Sequence, residues 1–345
     1  MAPPLVSHFG TVIDETVQYL KDEDGSVEYE KSYLGGGAYY GAIGSRIWLS
    51  PDAIKVMVDS DEIPPATFAK LSDVDASMWV YRKGPERRAV RSLIQYRWDK
   101  RTFKYISPPA SIYPNDVYDT LLYGAKCLHL VITPQSMSEF VKQLDNASPP
   151  WSPVLVYEPI PFACTSENLH PLMEVIKHVD VFSPNHKEAK AFLASEPLSL
   201  EWDFKGNVEQ MTKYFLDAGV GKNGEGSVVI RCGKLGCCVA KRGAPLCWVP
   251  PYWSSREENA QVIGTEGAGN SFLGGLTAAI ALGESDIIQA AAYGTVSASF
   301  VVEQFGGPSQ HVDENGQERW NGDLPKERLD ELVSRISYPP TPTGP

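Results

Sequence analysis

Between residues 127 and 240 the chain alternates short, almost wholly apolar runs with amphipathic stretches. The runs 127–133, 154–157, 179–182, 227–231 and 237–240 are rich in β-branched residues and read as strands. Helices are predicted over 116–123, 136–144, 169–176, 187–193 and 208–218, then over 271–282, 285–304 and 325–336. A strand without a polar side must be covered on both faces, which argues for a largely parallel sheet between two helical layers. The expected fold class is therefore α/β, a three-layer α/β/α sandwich.

One turn in this pattern is set up for chemistry. Val262 and Ile263 lead into Gly267-Ala268-Gly269, and a small-residue helical segment follows at once. The first turn of a helix has unpaired N–H donors and the positive end of the macrodipole, and glycines let backbone approach an anion closely. An ordinary βα turn is the alternative reading of the same residues.

Composition narrows the function. Formal charge is −12 over 345 residues, which argues against a nucleic-acid or anionic-membrane binder. The six cysteines include no Cys-x-x-Cys pair and lie in apolar runs, so reduced core thiols of an intracellular protein are expected. No apolar run reaches membrane-spanning length, no leader opens the chain, and the expected compartment is the cytoplasm, with the nucleus left open. No Gly-x-Ser-x-Gly elbow, His-Glu-x-x-His or Walker lysine occurs.

Ahead of the alternating region, a first strand is expected over 8–13, closing on Asp14. Two segments of alternating pattern, 16–33 around Asp24-Gly25 and 78–106, suggest a small β-sheet lid on a single domain spanning 1–337. Residues 338–345, rich in proline, are expected to be disordered. Nine Lys/Arg lie between Arg82 and Lys104, readable as a solvated hairpin face or as an electropositive wall for an anionic ligand.

The stretch 261–275 resembles the signature Asp-Thr-Thr-Gly-Ala-Gly-Asp-Ser-Phe of the PfkB (ribokinase-like) sugar and nucleoside kinases. Gly267, Ala268, Gly269, Ser271, Phe272 and Gly275 match it, while Asn270 stands at the closing Asp, and Gly264 and Glu266 replace the leading Asp and second Thr. The chain is thus similar to a divergent, fungal-type member with Asn in place of the catalytic Asp. The resemblance spans about 8–306 with the motifs in order. It implies that the Gly267–Gly269 amides hold the transferring phosphoryl group and that Asn270 occupies the position of the general base.

Other positions follow from the same resemblance. Asp14 and the loop Gly35-Gly36-Gly37 match substrate-binding positions, with Tyr39, Tyr40 and Gly41 where the family places a substrate Asn. Asn185 and Glu188 resemble the Asn-x-x-Glu motif that orders Mg²⁺ and its waters, or else cap a helix. Arg231, Gly233 and Gly236, with Thr265, resemble the nucleotide-binding turn. The implied cofactors are ATP and Mg²⁺, and the implied partner is a small molecule bearing a hydroxyl; a homodimer through the lid is a further expectation. The implied reaction is phosphorylation of a sugar, nucleoside or similar metabolite. A silenced ligand-binding protein and a fold recruited to another reaction stand as alternatives. For a slow kinase, Asn270→Asp is expected to raise turnover about tenfold or more.

Overall fold

A computed structural model describes residues 2–84, 86–98, 100–196, 203–254 and 261–338. Among these, the core is a nine-stranded sheet. Its strands are β1 (Val6–Phe9), β4 (Ile54–Asp59), β5 (Trp79–Arg82), β8 (Cys127–Ile132), β9 (Val154–Pro159), β10 (Val181–Phe182), β11 (Ser227–Arg231), β12 (Cys237–Lys241) and β13 (Cys247–Val249), in the order β13-β12-β11-β10-β9-β8-β1-β4-β5. Strands β5 through β11 of that row run parallel, and β12 and β13 extend it antiparallel.

Strand alternation explains why both faces are apolar. On β9, Leu155 and Tyr157 join the core under α3 (Pro134–Asp145), α4 (Leu169–Val175), α5 (His186–Phe192) and α6 (Phe204–Asp217), whereas Val156 faces the opposite layer. That second layer consists of α1 (Gly37–Arg46), α7 (Ala268–Leu282), α8 (Ile287–Val301) and α9 (Pro325–Ser334). Leu71 of α2 (Pro65–Asp75) joins the apolar cluster beneath α1. The expected sandwich is thus present.

A separate four-stranded sheet forms the lid, in the order β3-β2-β6-β7, from β2 (Ile13–Leu20), β3 (Val27–Gly35), β6 (Val90–Arg97) and β7 (Lys100–Ser107). It rests on the body where Tyr96 Oη donates to Glu266 Oε1 at 3.1 Å. A small pair, β14 (Gln310–Val312) and β15 (Glu318–Trp320), lies beyond α8.

Several sequence expectations need correction. The first core strand ends at Phe9, and Asp14 belongs to the lid strand β2 instead of closing it. Trp79 and Tyr81 alternate on β5, paired with β4 of the core, so the second lid segment begins only at Val90. No α-helix forms over 116–123: a 3₁₀ turn at Pro114–Asp116 is followed by turns. Its buried residues Val117 and Leu122 are five apart, a spacing that no single helical face provides. The disorder expected for 338–345 falls, apart from Tyr338, outside the described residues. Within the basic stretch Arg82 pairs with Asp59 at 2.6 Å, Arg87 with Asp116 at 3.4 Å and Arg88 with Glu62 at 3.5 Å, and Arg97 donates to the Asp22 carbonyl at 3.0 Å. All six cysteines are free and buried.

Candidate active site

Parallel strands deliver their C-terminal ends to one edge, which is where α/β folds bind ligands. Here Glu158 of β9 and Arg231 of β11 arrive at that edge, facing the first turn of α7. Gly267 caps α7 in the left-handed region, φ 75°, and a β-carbon there would overlap the Tyr40 ring. A β-carbon on Gly269 would overlap the Arg231 guanidinium. Gly267 is therefore required by its backbone and by the Tyr40 ring that supports the loop from below, whereas a side chain at 269 would have to displace the end of Arg231. Burial, then the neighbouring Tyr39, pushes the Tyr40 phenol well above its ordinary range.

A cleft of about 480 Å³ opens beside this loop. Thr265, Ala268 and Gly269 form one side, and Gly233 and Gly236, with Asn185 and Arg231, form another. Tyr252, Trp253, Val262, Ala298 and Val302 supply an apolar and aromatic wall. The cofactor positions suggested by the sequence are thus brought together around one space. It combines a helix N-terminus with a surface suited to a flat ring.

Arg231 is not a free phosphate ligand. Its Nη1 lies 2.8 Å from Glu158 Oε1, and Nη2 lies 3.1 Å from the Ser183 carbonyl and 3.5 Å from Glu188 Oε2. The guanidinium charge is balanced by two buried carboxylates before any ligand arrives.

Asn185 and Glu188 form a capping box for α5. Asn185 Oδ1 accepts from the N–H of Lys187 at 2.9 Å and of Glu188 at 3.0 Å, while Glu188 Oε2 accepts from Asn185 N at 2.7 Å. Burial raises the Glu188 carboxyl, against the pull of Arg231. Among the described residues no group of three His, Cys, Asp or Glu is arranged to hold a metal ion. Asn185 also lines the cleft, beside Lys187 and Arg231.

Asp14 turns away from the cleft, its Oδ2 accepting from Thr67 Oγ1 at 3.0 Å. Its neighbour Glu15, on the other face of β2, lines a small space with Tyr40, Tyr96 and Glu266. Gly36 and Gly37 open α1, and a β-carbon on Gly37 would stand 3.3 Å from Asn270 Nδ2.

The centre of the site is a residue that the sequence reading passed over. Glu158 Oε2 accepts from Asn270 Nδ2 at 2.8 Å and lies 3.2 Å from His129 Nε2. His129 Nδ1 meets His8 Nδ1 at 3.1 Å, His8 Nε2 meets Ser45 Oγ at 3.1 Å, and Ser45 Oγ donates to the Gly274 carbonyl at 2.8 Å. Burial opposes the charge on Glu158, but Arg231, His129 and the Asn270 amide outweigh it and hold the carboxyl at about 2. Burial, then His129, pushes His8 well below its ordinary value. The available signal was a lone carboxylate directly after the apolar run 154–157, at the C-terminal end of a parallel strand. Asn270→Asp, proposed above to restore a base, would set a second carboxylate against Glu158.

The large mixed sheet between two helical layers defines a ribokinase-like protein. Adenosine kinase from Schistosoma mansoni superposes with a TM-score of 0.69 at 16% identity, over 89% of this chain and 97% of that one. The ribokinase of Cryptococcus neoformans, solved with ADP, gives 0.65 at 16% identity over 97% and 100%. A model of the pfkB family carbohydrate kinases matches residues 142–313. An uncharacterised protein of Schizosaccharomyces pombe is 31% identical over 325 residues, 89% of this chain and 88% of that protein. The chain belongs to the PfkB family.

Proposed function

We propose that the chain binds ATP in the cleft between the Gly233–Gly236 turn and α7 and transfers the γ-phosphoryl group to a hydroxyl of a sugar, nucleoside or similar small molecule. The observation that carries this reading is the convergence of Gly233, Gly236, Thr265, Ala268 and Gly269 on one 480 Å³ cleft with an aromatic wall. The ADP complex of the Cryptococcus neoformans ribokinase supports it. Tyr252 and Trp253 face the base, and the amides at the start of α7 face the phosphates, where charge develops during transfer. Asn185 and Glu188 would hold a hydrated magnesium ion beside the phosphates, where it would supply charge neutralisation.

In this reaction the substrate oxygen bonds to the γ-phosphorus, the bond to the bridging oxygen breaks and ADP departs. The hydroxyl proton passes to solvent or to a phosphoryl oxygen, because a neutral amide at position 270 accepts none. Lack of a general base costs about 10²–10⁴-fold in rate, so a slow enzyme is expected. One observation favours a second reading, a nucleotide-binding protein without turnover: the Asn270 amide is already engaged by Glu158. Substrate-dependent ADP release over a panel of sugars and nucleosides selects the first reading. Saturable ADP binding with no release above background selects the second.

A further inference from the structure

The hydrogen bonds around Glu158 converge on one carboxylate. Its Oε2 takes Asn270 Nδ2 at 2.8 Å and His129 Nε2 at 3.2 Å, and its Oε1 takes Arg231 Nη1 at 2.8 Å. Behind His129, His8 and Ser45 continue a buried chain to the Gly274 carbonyl. Glu158 and Glu188 are the two buried carboxylates around Arg231.

Asn270 completes this arrangement. An ionised carboxylate only accepts, so the amide must present Nδ2 to Glu158 Oε2, and Oδ1 is turned away from it as a fixed acceptor. An aspartate at 270 would offer no proton and would add a third negative charge 2.8 Å from the first oxygen.

We propose that Glu158 is the positioning residue of this site: it fixes the Asn270 amide and makes positions 158 and 270 a single seat for one negative charge. Through this pairing, the residue at 158 decides which side chain the catalytic position can carry. A carboxylate is tolerated at 270 once 158 becomes a neutral donor, because Glu158→Gln puts an amide there that gives the hydrogen bond in the opposite sense and still offers Arg231 an oxygen.

A double-mutant cycle tests the pair. Asn270→Ala, Asn270→Asp, Glu158→Gln and the double variant E158Q/N270D are compared by urea unfolding at neutral pH. Asn270→Asp is expected to lower the midpoint more than Asn270→Ala, and the double variant to recover at least half of the loss expected from adding the two single changes. If Asn270→Asp fails to fold, a folded double variant still supports the pair. Additive losses, or Asn270→Ala and Asn270→Asp losing equally, overturn it. A second readout rests on the proposed kinase reaction: ADP release in the double variant should rise about tenfold or more over the parent protein, and Asn270→Asp alone should show no such rise. Coupled stability without that rise contradicts the kinase reading and leaves the pair intact; uncoupled stability contradicts the pair whatever the turnover.

Discussion

The ring of Tyr40 occupies the space that a side chain at position 267 would fill. Gly267 also holds φ at 75°, a left-handed conformation that costs an L-residue about 1–2 kcal/mol. Overpacking adds roughly 1–3 kcal/mol. Gly267→Ala should therefore lose about 3 kcal/mol in urea unfolding, and adding Tyr40→Ala should return part of it. A neutral Gly267→Ala would mean that the loop is not held from below.

Acid unfolding reports on Glu158. Its folded carboxyl is held at about 2, below its ordinary 4.5, so the unfolded chain binds more protons between those values. Its contribution is present above pH 4.5 and is lost as the pH falls towards 2, a difference of about 3 kcal/mol. Glu188 is shifted upward, so its contribution is present at low pH and is lost as the pH rises through its folded value. Glu158→Gln should flatten the decline below pH 4.5. An unchanged pH slope in that variant would show that other carboxylates govern acid unfolding.

His8 reports on the buried chain behind Glu158. Burial, then the neighbouring His129, holds it well below its ordinary value. Nitrogen-15 spectra should show His8 with a single protonated ring nitrogen through the ordinary imidazole range, for as long as the fold persists. A doubly protonated His8 in the folded protein at pH 6.5 would contradict that burial.

The layers were legible because strands buried on both faces read as continuous apolar runs: β11 appears in the sequence as Ser227–Arg231 without interruption. The glycine loop was legible because each residue type has a local reason. Glu158, His8 and His129 were not. Each is a lone polar residue beside apolar neighbours, and its meaning comes from parallel pairing that sets His8 beside His129, 121 positions away. Asp14 was misplaced for a different reason. On a strand, adjacent residues face opposite ways, so Asp14 meets Thr67 while Glu15 lines the small space beside Tyr40 and Glu266. The turns after Asp116 lacked a helix because Val117 and Leu122 reach the core from an irregular path.

Nucleotide binding is the central claim, and titration calorimetry with ADP measures it directly. The parent protein should bind ADP at a single saturable site. Ala298→Trp, which places a bulky ring in the cleft away from Glu158 and Arg231, should abolish binding while circular dichroism shows the fold retained. No heat of binding up to about 1 mM ADP, equivalent to less than about 4 kcal/mol of affinity, would contradict the account, as would undiminished binding by Ala298→Trp.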